Sequence, residues 1–149
     1  MSVLSVRLPT AQRWVAYVVL ATVGSTGLAW TVLHEWLQLG WMLSERRLLI
    51  AHGVASALGL VVVGGLVPLH IRLGLKTNRN IASGLTTLCV IAVLGLTGVM
   101  LYYGGEDWRD GVRWIHIIIG AVACMAVPAH IWLGLKLAKR SRLSQESKR

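Results

Sequence analysis

Val67–Lys76 reads VPLHIRLGLK and Val127–Lys136 reads VPAHIWLGLK, identical at eight of ten positions. Each decapeptide closes a long apolar run and carries a proline, a histidine and a lysine in the same order. A weaker match lies upstream, where VLATVGSTGL (Val19–Leu28) and VIAVLGLTGV (Val90–Val99) share Gly24/Gly95, Thr26/Thr97 and Gly27/Gly98. The chain is thus written twice. Each copy contains two apolar runs, so the expected unit is a hairpin of two helices. The expected fold is all-α: an integral membrane up-down-up-down four-helix bundle made of two repeated two-helix hairpins, with equivalent helices diagonally opposed across the interior.

Composition points the same way. The chain has 149 residues, 55% hydrophobic and only 14% charged. Four apolar runs, at about 14–33, 48–75, 81–103 and 112–137, reach the roughly 20 residues a helix needs to cross about 30 Å of hydrocarbon. They form one membrane domain over 1–149, ending in a basic cytoplasmic tail at 138–149. The first run is too long for a signal-peptide core and has no small-residue cleavage site after it, so it is read as a membrane span.

The net charge of +9 is explained by placement, and no nucleic-acid partner is expected. Arg7, Arg13, Arg72, Lys76, Arg79, Lys136, Lys139, Arg140, Arg142, Lys148 and Arg149 fall on one side of a four-span topology, with Glu146 the only acid there. Arg46, Arg47, Arg109 and Arg113 fall on the other, among Glu35, Glu45, Glu106, Asp107 and Asp110. The positive-inside rule then puts both termini in the cytoplasm, and the expected location is the inner membrane of a bacterial cell. The basic side also suits membrane lipid as a partner. Trp30, Trp36, Trp41, Trp108 and Trp114 mark the opposite, outer interface. Cys89 and Cys124 form no CxxC or CxxCH, which excludes c-type haem attachment by the usual motif, and they read as small apolar residues at helix contacts.

The histidines carry the chemistry. Four of the five, His52, His70, His116 and His130, lie in the second and fourth runs, where a polar residue in hydrocarbon is costly and usually functional. His116 and His130 are 14 residues apart, about 21 Å of helical rise and within about 40° of one face. His52 and His70 are 18 apart, five whole turns of an ideal α-helix. The repeat equates His70 with His130 and, across a four-residue deletion, His52 with His116. Two imidazoles on diagonal helices suit the axial positions of a haem iron. The expectation is two haem b groups: His70/His130 would ligate an inner one and His52/His116 an outer one, about 20 Å apart. Haem propionates call for cations, and Arg47 and Arg113 lie near the outer pair, Arg72 near the inner. Pro68 and Pro128 precede the inner ligands by two residues, where a kink could set ring orientation. His34, which has no counterpart in the second copy, reads as an interfacial residue, a substitute outer ligand, or a proton-transfer group at a quinone site.

This arrangement resembles the superfamily of four-helix dihaem cytochromes b that includes formate dehydrogenase gamma-subunits, the cytochrome b subunits of Ni,Fe-hydrogenases and small bacterial membrane cytochromes b. The resemblance covers residues 14–137 and rests on the spaced histidines, of which His116/His130 match the helix-four ligand pair of that group. The first helix lacks the histidine some members carry near its cytoplasmic start, and His70 takes its place. The resemblance implies electron transport between a periplasmic or membrane-bound redox partner subunit and the quinone pool, with no catalytic residue of its own. The alternatives are a self-sufficient quinone-reactive oxidoreductase, or a haem-free assembly or transport subunit.

Overall fold

The computed structural model describes residues 9–38, 43–77 and 80–146, and every element among them is helical. Arg7, Trp41, Arg79, Lys148 and Arg149 lie outside the described residues. Helix α1 (Thr10–Thr31) runs on into a π-helical turn at Val32–Trp36. Helix α2 (Leu43–Leu66) passes through a second π-helical turn at Val67–Ile71 into the short α3 (Arg72–Thr77). Helix α4 spans Ile81–Tyr103 and α5 spans Glu106–Glu146.

Four of these helical segments are long and apolar enough to cross a membrane: Thr10–Trp36, Ser44–Leu66, Ile81–Tyr103 and Glu106–Arg140. Helix is what hydrocarbon demands, because every backbone N–H and C=O must be satisfied within the segment. The third span begins and ends where the apolar run does, the first and fourth extend past theirs at both ends, and the second begins before its run and stops within it, at the π-turn. The charged residues flanking those runs are good helix formers, so the backbone keeps its ladder beyond the apolar stretch. Most of the basic segment after Leu137 is accordingly helix, continuing α5 to Glu146.

Little of the apolar side-chain surface is covered by protein. Ala16, Ala55 and Val112 are the buried hydrophobic residues, while Leu28, Leu58, Val61 and Met125 are more than half exposed. For a water-soluble domain that balance would be untenable, since burial of such residues drives folding. A lipid bilayer reverses it, because the solvent is itself apolar. Cys89 and Cys124 are exposed free thiols rather than residues set into helix contacts.

The chain divides into two compact units, Met1–Leu73 and Gly74–Arg149. In the first, α1 packs along α2; in the second, α4 packs along α5. The α4–α5 connection is tight. Gly104 caps α4 in an extended conformation (φ −74°, ψ 159°) and its N–H donates to the Met100 carbonyl at 2.7 Å. The two copies of the VPxHI motif differ locally: Pro68 and His70 lie in a π-turn, whereas Pro128 and His130 lie in continuous α-helix. Proline removes an N–H and crowds the preceding turn, and a wider π-turn relieves that. A π-turn also holds one residue more than an α-turn, so the five-turn alignment of His70 with His52 is altered by up to about 100°.

Candidate functional site: histidine seats on hydroxyl–glycine steps

Three of the four ligand candidates are seated in the same way. In the second unit, His116 Nδ1 lies 2.8 Å from Thr97 Oγ1, and Thr97 Oγ1 donates its own proton to the Val93 carbonyl at 2.8 Å. With its proton directed to Val93, the hydroxyl oxygen is placed to accept from His116 Nδ1–H. Thr97 is 6% exposed. The next residue is Gly98, where an added Cβ would meet His116 Cε1 at 3.8 Å.

His130 repeats the pattern further along the hairpin. Its Nδ1 lies 3.0 Å from Ser83 Oγ, and Ser83 Oγ donates to Asn80 Oδ1 at 2.6 Å. Here Nδ1 faces both a hydroxyl, which can accept, and the Asn80 amide N–H, which can only donate. Asn80 Nδ2, 3.3 Å from the same ring nitrogen, donates to the His130 carbonyl at 3.3 Å. Asn80 is the N-cap of α4 in a left-handed conformation (φ 55°), one that asparagine adopts at modest cost. The residue after Ser83 is Gly84, and a Cβ there would stand 3.3 Å from His130 Cε1. Ser83 and His130 are each fourteen residues further from the α4–α5 turn than Thr97 and His116, so the antiparallel pair holds one register through both seats.

In the first unit His52 Nδ1 lies 3.0 Å from the Val23 carbonyl and 3.3 Å from Thr26 Oγ1. Thr26 gives its proton to the Thr22 carbonyl at 2.6 Å, so both neighbours accept from Nδ1–H. Gly27 follows, and here the fit is tightest: a Cβ would meet His52 Cε1 at 2.9 Å. Thr26/Gly27 and Thr97/Gly98 are the paired residues of the sequence repeat.

No family model, no curated protein and no solved structure matches the chain. The chemistry of the seats therefore stands on their own geometry.

An imidazole whose Nδ1–H is tied to a hydroxyl or carbonyl is fixed as one tautomer, with the coordinating lone pair on Nε2 and the ring orientation set; metal-binding histidines are commonly prepared this way. The small residue beside each ring brings the helices close. These features fit axial ligation of a haem by His52, His116 and His130.

His70, half-buried in the π-turn, belongs to the first unit with His52, whereas His116 and His130 belong to the second. Of the propionate candidates, Arg47 and Arg72 are exposed. Arg113 is half-buried, pairs with Asp110 at 3.5 Å and lies 5.9 Å from the Trp114 ring centroid.

His34 is held by a different set of groups. Its Nδ1 lies 3.3 Å from Glu45 Oε2, and Trp30 stacks on its ring at 4.6 Å and 17°. Glu45 is 1% exposed. Its Oε1 and Trp30 Nε1 are buried with no hydrogen-bond partner among the described residues, and buried polar atoms of that kind call for an explanation. Glu45 precedes His52 by seven residues, about 10 Å along α2.

Thr26, Asn80, Ser83, Thr97 and the Glu45–Trp30 surroundings of His34 were not legible as site residues from spacing alone. For Ser83 a signal exists once Thr97 is set opposite His116: a step of fourteen residues away from the α4–α5 turn on each helix reaches Ser83 and His130.

Proposed function

We propose that this chain is a dihaem b-type cytochrome, an electron-transfer subunit that carries electrons across the membrane between a partner oxidoreductase and the quinone pool. The observation that carries the reading is the threefold recurrence of one seat: a histidine in a membrane span whose Nδ1 meets the facing helix at a hydroxyl–glycine step. One such seat is ordinary helix packing. Three of them, on histidines already singled out by an internal repeat, suit ligands preset for iron. In this reading the two hairpins assemble as an up-down-up-down bundle, His70/His130 hold the inner haem and His52/His116 the outer, and both termini are cytoplasmic in a bacterial inner membrane. A bound haem supplies one-electron redox chemistry at the iron. The chain's own contribution is to fix the imidazoles of His52, His116 and His130 and set the level of each ligand along the membrane.

The Glu45–His34 pair supports a quinone site near the outer haem. Oxidation of a quinol releases two electrons and two protons; bound haems would accept the electrons, and the protons need acceptors among the chain's own groups. A buried carboxylate in contact with a half-buried imidazole, about 10 Å along α2 from His52, provides a route from the membrane toward water. Replacing Glu45 with Gln should slow haem reduction by quinol at least tenfold while leaving the haem spectrum intact. An unchanged rate removes Glu45 from the proton path.

The deciding measurement is a reduced-minus-oxidised spectrum of the purified protein with a pyridine haemochrome count. Two haems b per chain are expected, falling to one in His130→Ala. A colourless protein rejects the cytochrome, and two haems retained in His130→Ala rejects the ligand pairing.

A further inference from the structure

Helix α5 carries no charged residue from Trp114 to Leu135, between Arg113 and Lys136. Those 22 residues rise about 33 Å, the thickness of a bilayer's hydrocarbon. Lys136 therefore emerges at the hydrocarbon edge, Trp132 lies one turn inside it, and Lys139 lies one turn outside, among headgroups. The helix does not stop there. It runs on to Glu146, about 12 residues and 18 Å past Gly134, the residue level with Asn80 at the start of α4.

Trp132, Leu135, Lys136 and Lys139 are spaced three and four apart, so they share one face. They line a shallow open groove of about 380 Å³. Trp132 and Leu135 are 58% and 52% exposed, and the Lys136 ammonium lies 4.6 Å from the Trp132 ring centroid. That cation–π contact draws the ammonium back over the indole and leaves Lys139 as a second cation above it. The groove is apolar on the hydrocarbon side and doubly cationic on the water side, with Arg140 next in the chain. From Lys136 onward the sequence holds six basic residues and one acid.

From this we infer that the Trp132–Lys139 face of α5 is a binding site for an anionic glycerophospholipid, its phosphodiester held between the Lys136 and Lys139 ammonium groups and its acyl chain lying along Leu135 and Trp132. The charge match selects the lipid: a zwitterionic headgroup would bring its own ammonium into a site that already holds two. Free phosphate offers the anion but nothing to cover the exposed indole and leucine. The site requires only that α5 spans the bilayer, and it stands whether or not the chain binds haem.

The test uses the full chain in phosphatidylcholine nanodiscs with and without phosphatidylglycerol, reading retained lipid by native mass spectrometry and tryptophan quenching by brominated phosphatidylglycerol. Near a membrane surface each lysine contributes on the order of 1 kcal/mol toward anionic lipid, so Lys136→Gln with Lys139→Gln should weaken phosphatidylglycerol retention about thirtyfold. Lys136→Arg with Lys139→Arg should retain it. Lys148→Gln with Arg149→Gln, two charges lost further along the tail, should change it less than threefold. Equal losses in the tail variant mean diffuse attraction and overturn the site. Equal retention of phosphatidylcholine, or displacement of the lipid by inorganic phosphate, overturns the assignment to an anionic lipid.

Discussion

At the residue scale the glycines beside the histidines make a graded series. A Cβ at position 27 would approach His52 Cε1 to 2.9 Å, at position 84 His130 Cε1 to 3.3 Å, and at position 98 His116 Cε1 to 3.8 Å. The first distance requires a ring to move, the second requires a few tenths of an ångström of adjustment, and the third is ordinary contact. Haem content per chain should therefore fall most in Gly27→Ala, less in Gly84→Ala and least in Gly98→Ala. A flat or reversed order would dissociate the glycines from the ligands. The hydroxyls give a second contrast. Thr97→Val leaves His116 Nδ1–H without its 2.8 Å acceptor in a buried position, a loss of about 1–3 kcal/mol. Thr26→Val leaves His52 the Val23 carbonyl at 3.0 Å and should cost less. Thermal release of haem, or thermal unfolding of the apoprotein, checks this: Thr97→Val should lower the midpoint more than Thr26→Val.

At the element scale the start of α4 is tied to α5 through Asn80 and Ser83, and Asn80 holds both. Asn80 accepts from Ser83 Oγ at 2.6 Å and donates to the His130 carbonyl at 3.3 Å, with its backbone at φ 55°. Asn80→Gly keeps that φ without strain and removes both bonds. Helix content should be unchanged, while amide exchange over Ile81–Gly84 should quicken by about one to two orders of magnitude, the equivalent of 1–3 kcal/mol of local stability. Exchange at the wild-type rate would show that Asn80 holds nothing together. The π-turns were beyond periodicity arguments. Pro68 and Pro128 stand in nearly the same ten residues, yet only the first lies in a widened turn; the turns that precede them differ, Gly64 and Gly65 against Cys124 and Met125.

At the scale of the whole molecule, the proposed topology returns the chain to its starting side after four spans, and the division of eleven basic residues against four assigns that side to the cytoplasm. A reporter enzyme active only outside the cytoplasm, fused after Arg149, should be inactive; activity would invert the topology. The opposite surface mixes Glu106, Asp107, Arg109 and Asp110, suited to docking a redox partner. Asp110 is 89% exposed and its bond to Arg113 is 3.5 Å, an exposed pair of small stabilising value. Charge reversal at Asp107 and Asp110 should therefore weaken copurification of a redox subunit without unfolding the chain. Copurification at wild-type yield would remove this surface from the docking site.

The class of solvent and the number of spans follow from the order of residues alone, because about 20 consecutive apolar residues have one stable arrangement in hydrocarbon. So does the singling out of His52, His70, His116 and His130, since polar residues at that depth are rare enough to stand out and the repeat relates them. Packing, by contrast, chooses the groups that hold those rings. Thr26, Ser83 and Thr97 are common membrane-helix residues that differ locally from Thr22 and Thr86 only in the glycine that follows each; the Thr22 and Thr86 hydroxyls bond back to their own helix at Val18 and Ala82. The difference lies in the facing helix. A hydroxyl becomes a histidine seat when the interhelical register brings an imidazole within hydrogen-bonding distance of it, and that register is a property of two packed helices, not of either sequence alone.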